Sequence, residues 1–575
     1  MDPAKKLSVA FLWHMHQPCY KDTATGIYQM PWARLRAVKD YFPMAALLEK
    51  FDNVRMTFNL VPSLLEQLHD YGTNGATDTM LDLTLKEASG LTENDSLDIL
   101  ENFFRVNFKN FIEPSARYSE LLVKRGLGRL SDHDLKNAAS KFSAQDFLDL
   151  QVLFNMAWFH SISVEADRNL QQLVRKGSGY TEDDKACVIL KQSQIISEII
   201  PLYRRLQDAG RIEISATPFY HPITPLLCDT SIAKVSMPRA QLPKKRFRHP
   251  EDAAWHIKEA VSYHTRVFGQ PPRGMWPSEG SVSDEALSIM AANGIKWAAT
   301  DEDILFNSLT LGQKLKRPKP IDRRAIYEPY TFKSGSKQLS MIFRDKNLSD
   351  IISFNYNAWD QLDAADDLTT HLKNISSALR RDAERGIVLI AMDGENAWEY
   401  FQDNGRRFFE TLYANLDNDS ELEAVTVSRH LELEPPRKVL RRIFPASWIN
   451  HDFKIWIGDQ QDNLSWDYLF RVRADLVKFT KELTGTIPGL KVSDLKRVRH
   501  RQSPGLKKSG AENDALSRAW RELYICEGSD WNWWYAGKAR SGGDNPFDQL
   551  YLTHLKNVYK FLKKPVPDFL KISIA

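Results

Sequence analysis

Ile387-Val-Leu-Ile-Ala-Met-Asp393-Gly-Glu395-Asn396 sets six apolar residues in a row ahead of two carboxylates. An unbroken apolar run of this length, rich in β-branched side chains, is what a strand covered on both faces requires. Shorter runs of the same kind occur at Leu7 to Trp13, Val54 to Leu60, Ile212 to Thr217, Trp297 to Thr300 and Ser340 to Phe343. Helical patterns such as Asp252 to Phe268 and Ser283 to Asn293 lie between them. Strands alternating with helices predict an α/β fold with a parallel sheet, and this many units predict a barrel rather than an open sheet.

The alternation breaks between about Asp78 and Gly210, where the pattern is helical almost throughout and predicts a large insertion in a strand-to-helix loop. After about Leu431 it turns helical again, with Trp466 to Leu483, Ala511 to Cys526 and Asn545 to Leu562 as the clearest segments. A chain of 575 residues exceeds the roughly 250 to 300 that one core usually serves. The expected division is a barrel over residues 1–430, with the insertion at about 78–210, and a helical domain over 431–575 packed on the barrel.

Charge and composition remove several classes of function. The 77 basic and 74 acidic side chains leave a net charge of +3, too small a field to gather nucleic acid or an acidic membrane. One basic stretch, Lys491 to Lys508, has no interleaved aromatic for base stacking and reads as a solvated loop. The four cysteines are far apart with no CxxC pair, so neither a disulfide framework nor a cysteine zinc site is expected. The apolar run at Leu7 is too short for a signal segment or a bilayer span, and a cytoplasmic protein is expected. No EF-hand-like loop calls for calcium, and no cofactor or metal is expected. Nothing in the sequence specifies an oligomeric state.

In barrels of this kind the chemistry sits at the C-terminal ends of the strands. The first strand runs into His14-Met-His16-Gln-Pro18, whose two imidazoles, two residues apart, emerge on one side. They suit a sugar or a metal, although no HxxxH or HExxH helix supplies further ligands. In Gly274-Met-Trp276-Pro-Ser-Glu279-Gly280 a carboxylate stands beside an indole that can carry the apolar face of a sugar. Asp393 follows a buried strand, where its pKa can rise enough for an acid, with Gly394 allowing a tight turn; capping the next helix is the competing role. Glu395 competes for the same task, and Trp398 follows. Two strand-end carboxylates are what a glycosidase needs. Glu527-Gly-Ser-Asp530-Trp531-Asn-Trp533-Trp534-Tyr535 combines four aromatics with two acids and reads as a glycan-contacting loop. Phe219-Tyr-His221-Pro222 and Phe343-Arg344-Asp345 are weaker candidates.

With these residues in hand, the sequence resembles glycoside hydrolase family 57, within it the α-amylase and amylopullulanase-like group. The matching pieces are His16-Gln-Pro18, Thr57-Phe-Asn-Leu-Val-Pro-Ser63, Gly210-Arg-Ile-Glu213 with Tyr220-His-Pro222, Met275-Trp-Pro-Ser-Glu279, Met392-Asp-Gly-Glu-Asn396 and Glu527-Gly-Ser-Asp-Trp531, in the family's order. The resemblance implies a distorted (β/α)7 barrel followed by a helical domain. It also implies retaining hydrolysis of α-glucans, with Glu279 as nucleophile and Asp393 as general acid/base. His14, His16, Glu213, His221, Trp276, Glu395, Trp398, Glu527, Asp530, Trp531 and Trp533 are the expected substrate-binding residues. The expected partner is an α-glucan. A 4-α-glucanotransferase or a branching enzyme is the alternative, and a metal-dependent deacetylase or α-mannosidase on a related barrel the remote one.

Overall fold

In the computed structural model, which describes residues 6–312, 321–379, 385–484, 510–535 and 545–575, the apolar runs become the walls of a barrel. The strands are β1 (Leu7–Met15), β2 (Met56–Leu60), β3 (Ile212–Ser215), β4 (Gly274–Met275), β5 (Trp297–Asp301), β6 (Tyr330–Ser334), β7 (Lys337–Arg344), β8 (Ile387–Asp393), β9 (Leu422–Ala424) and β10 (Lys438–Leu440). Seven of them run parallel around a nearly closed ring in the order β8-β1-β2-β3-β4-β5-β7. Two seams are thin: β3 meets β4 through Ala216 and Met275, and β7 meets β8 through Arg344 and Leu389. β6 folds back antiparallel on β7, β10 extends β6, and β9 pairs with the first residues of β1.

The period of two explains why these strands read as unbroken apolar runs. On β1, Ala10 and Leu12 face the lumen with Leu389 and Ala391 of β8, Trp297 and Ala299 of β5 and Ile342 of β7. Val9, Phe11, Trp13 and Met15 face outward into the helical shell. Both faces are covered, so apolar residues dominate the strands.

The segment between β2 and β3 is helical wherever it is regular, with no strand between Thr79 and Asp208. Four of its helices start on a Thr or Ser whose side chain caps the amide of an Asp three residues on, and that Asp caps back: Thr92 with Asp95, Ser131 with Asp134, Ser143 with Asp146 and Thr181 with Asp184. Such reciprocal caps satisfy orphan N–H groups and fix helix starts locally. After the barrel come helices Gln460–Thr484, Gly510–Cys526 and Pro546–Phe561. The Lys491 to Lys508 stretch lies outside the described residues. All four cysteines are free thiols. No helix among the described residues is long and apolar enough to cross a membrane.

Candidate active site

Glu279 leaves the end of β4 in a left-handed backbone conformation, φ 55° and ψ 31°. A non-glycine residue there is strained and persists only where its surroundings hold it. The holding group is Trp448, in the segment after β10. Its backbone N–H donates to the Glu279 carbonyl at 3.0 Å and its indole N–H to Glu279 Oε2 at 2.8 Å. Burial pushes the Glu279 carboxyl up to about 8, with the nearby charge of Asp393 as the second cause.

Asp393 ends β8 and accepts from Asn396 Nδ2 at 2.8 Å. Burial raises its pKa as well, opposed by Asn396, His16 and Arg344. Gly394 does not turn on a positive φ. A side chain there would strike Met15 at 2.9 Å, and its N–H donates to the His14 carbonyl at 2.7 Å. Its role is therefore close packing of the Asp393 segment on β1. No helix begins at Asp393, which leaves capping without an object. Glu395 is buried, accepts from the His16 N–H and from Gln17 Nε2 through Oε1, and has no hydrogen-bond partner for Oε2 among the described residues. Burial and the charge of Asp393 raise its pKa well above the usual carboxylate range.

The histidines form an ordered stack. Asn59 Nδ2 donates to Ser215 Oγ and to the Ala216 carbonyl, which turns its Oδ1 toward Thr217 Oγ1 and His14 Nδ1, the latter at 2.6 Å. Burial lowers the pKa of His14 to about 3 and takes that of His221 well below its ordinary value, so both are neutral near pH 7. With its proton on Nδ1, His14 accepts at Nε2 from His221 Nε2, 3.1 Å away. His221 Nδ1 then accepts from Ser529 Oγ at 2.8 Å, so one hydrogen-bond chain sets both tautomers. His16 stacks on His221 with centroids 3.8 Å apart and donates from Nε2 to Asp530 Oδ1 at 2.7 Å. Ser529 and Asp530 come from the helical region after the barrel. Their loop approaches so closely that a side chain on Gly528 would strike the Tyr220 carbonyl at 2.7 Å.

His14, His16, Glu279, Arg344, Asp393, Glu395, Trp448, Asp530 and Trp533 all line one cleft of about 2350 Å³. Trp276 is fully buried beneath it, its ring edge-on to Trp448. Other expected binding residues lie elsewhere. Glu213 belongs to the start of β3, low in the lumen, and accepts from Trp297 Nε1, Ser428 N and Ser428 Oγ. Trp398 packs on Trp13 and Phe409 and donates to the Gly394 carbonyl. Trp531 is buried and donates to the Ile525 carbonyl. Glu527 is buried against His256 Nε2 at 2.9 Å and beside Asp252. Trp448 was not singled out in the sequence, because its contact with Glu279 spans 169 positions and leaves no local pattern.

His16, His221 and Asp530 present ligating atoms within 4.8 Å of one another. The two imidazole planes lie 17° from parallel, so their in-plane lone pairs run side by side rather than converge on one ion. The Nε2 atoms already face Asp530 and His14. As arranged, these residues make a hydrogen-bonded wall.

A parallel barrel whose mouth holds two half-buried carboxyls in a large, tryptophan-walled cleft has the make-up of a sugar-processing enzyme. The model of glycosyl hydrolase family 57 matches residues 10–443, and the chain belongs to that family of glycoside hydrolases. Its fold is shared by a family 57 branching enzyme from Thermococcus kodakaraensis, with TM-score 0.56 at 15% identity over 96% of this chain and 90% of that one. An α-amylase from Thermotoga maritima gives 0.57 at 13% identity over 98% and 96%. A branching enzyme from Pyrococcus horikoshii gives 0.55 at 14% identity over 98% and 93%. No curated protein sequence matches the chain.

Proposed function

We propose that this enzyme breaks α-glucosidic bonds of maltodextrin or glycogen with retention, with Glu279 as nucleophile and Asp393 as general acid/base. The observation that carries this is the pairing of a strained, clamped Glu279 with a strand-end Asp393 in one cleft. The α-amylase and branching activities named for the structural relatives agree with it.

In the first step Glu279 attacks the anomeric carbon, and the glycosidic C–O bond breaks as Asp393 gives its proton to the leaving oxygen. Asp393 then takes a proton from water, or from a sugar hydroxyl, whose oxygen displaces Glu279 from the glucosyl ester. The resting pair must hold one proton, since two carboxylates buried in one cleft do not both ionise readily near neutrality. The Trp448 N–H favours charge on Glu279, and the basic leaving oxygen draws the proton held by Asp393. Hydrolysis is the favoured outcome, because the Met-Trp-Pro-Ser-Glu and Glu-Gly-Ser-Asp-Trp forms resemble the amylopullulanase group most.

The test is a product profile on maltoheptaose, pullulan and glycogen. Shorter sugars, with turnover reduced about a thousandfold or more in Glu279→Gln and Asp393→Asn, are the expected result. Longer or branched products would make the enzyme a transferase. Turnover of none of the three substrates, or wild-type turnover in both variants, would overturn the proposal.

A further inference from the structure

Aromatic rings left in water need a reason. Five stand most exposed among the described residues: Phe108 at 52%, Phe354 at 75%, Trp359 at 48%, Tyr400 at 54% and Trp533 at 41%. Three of the five, Phe354, Tyr400 and Trp533, line the one cleft that holds Glu279 and Asp393, although they come from three separate parts of the chain. Exposed apolar groups gathered in one cleft mark a binding surface. Sugar rings have an apolar face that suits an aromatic plane and hydroxyl edges that suit the polar groups between.

Phe354 and Tyr400 stand on supports tied to the Asp393 segment. Phe354 ends helix Lys346–Phe354, which follows β7, and its neighbour Ser353 touches the sulfur of Met392, the residue before Asp393. Tyr400 lies in the turn Trp398–Tyr400, seven residues after Asp393. That turn is clamped from both sides of the tyrosine, because Asn110 Nδ2 donates to the carbonyls of Glu399 at 2.7 Å and Phe401 at 3.2 Å. Arg36 pairs with the Glu399 carboxylate at 2.9 Å, and the Trp398 indole is tied to the Gly394 carbonyl. The backbone is fixed while the ring stays free to meet a ligand, so a ligand stacking there loses little to ordering of the site.

We propose that Phe354 and Tyr400 form a glucan-stacking subsite on the leaving-group side of the cleft, engaging sugar rings beyond the scissile bond and setting a preference for longer chains. This rests on the α-glucan reading above, in which Asp393 protonates the leaving oxygen and therefore faces that side. Neither ring takes part in the bond-breaking step.

The experiment measures kcat/KM on maltotriose through maltoheptaose for the full chain, for Phe354→Ala, for Tyr400→Ala and for Phe108→Ala, whose ring is exposed outside the cleft. Wild type should gain efficiency with chain length. Each cleft variant should lose about 5- to 10-fold on maltoheptaose, mainly through KM, and less than about twofold on the shortest substrate cleaved. Phe108→Ala should follow wild type throughout. Equal losses at every length, or no loss at any, would overturn the subsite while leaving the α-glucan reading intact. A wild type that turns over no member of the series would sink that reading, and the subsite with it.

Discussion

The lumen holds buried carboxylates at both ends, and they are treated in opposite ways. At the base, Glu213 takes three hydrogen bonds, from Trp297 and from the backbone and hydroxyl of Ser428. At the mouth, Glu279 takes one side-chain bond, from Trp448, on a strained backbone, and Glu395 keeps one buried oxygen with no partner among the described residues. A buried polar group with its partners in place holds a fold together, whereas one short of partners costs stability unless something else arrives to meet it. The difference separates a carboxylate that closes the barrel from carboxylates that await a ligand.

Substitution at the two ends should break along the same line. Glu279→Gln and Asp393→Asn should cost about a thousandfold or more in turnover while leaving the melting temperature at or above wild type, since each relieves the cleft of one of two neighbouring acids that share a single proton and are poorly compensated in the free enzyme. Glu213→Gln turns one oxygen into a donor that must face another donor, a loss of about 1–3 kcal/mol in stability with turnover per folded molecule retained. Calorimetry beside single-substrate kinetics would separate them; an inactive but fully stable Glu213→Gln would erase the distinction.

Trp448 offers a smaller and sharper cut. Its indole N–H lowers the pKa of Glu279 against the rise caused by burial. Trp448→Phe keeps most of the wall and deletes that N–H, so turnover should fall about 10-fold. The pH profile supplies the signature. The free site should lose activity as rising pH takes the last proton from the pair, and in Trp448→Phe that limb should move to higher pH. A fall in rate with an unmoved limb would make Trp448 a wall and nothing more.

The strands and the mouth were legible in the sequence because both are local. A strand buried on two faces has to be apolar throughout, and the first polar residue after it marks the mouth, which is how β1 and β8 announced His14, His16, Asp393 and Glu395. Glu213 lies at the beginning of its strand, whereas chemistry in such barrels gathers at the other end. Trp398 and Trp531 lie in polar stretches that suggest a sugar platform, yet both turn their rings into the core. β6, β9 and β10 are only three to five residues long, too short for their alternation to stand out from the surrounding sequence. Trp448 and the chain from Asn59 to Ser529 depend on contacts across the fold, which no local pattern records.

The smallest expected effect concerns how the loop carrying Ser529 and Asp530 is anchored. Glu527, two residues before Ser529, lies buried against His256 and close enough to Asp252 for its charge to be felt there, and Asp252 pairs with Arg473 at 2.5 Å. Burial raises Asp252 to about 7 and Glu527 to about 8, and neutral His256, lowered to about 3 by burial, adds no charge to balance them. A carboxyl whose folded pKa lies above its unfolded value contributes stability that is complete below the unfolded pKa and is lost as pH rises through the folded one. Melting temperature should therefore decline from about pH 4, near the unfolded carboxyl values, to about pH 8, where the folded pair has lost its protons. Glu527→Gln removes one of the two groups and should flatten the slope, and because the anchored loop supplies Ser529 to His221, the wild-type mouth should loosen over the same range. Equal slopes for wild type and Glu527→Gln would show that the proton at this anchor does not couple to folding.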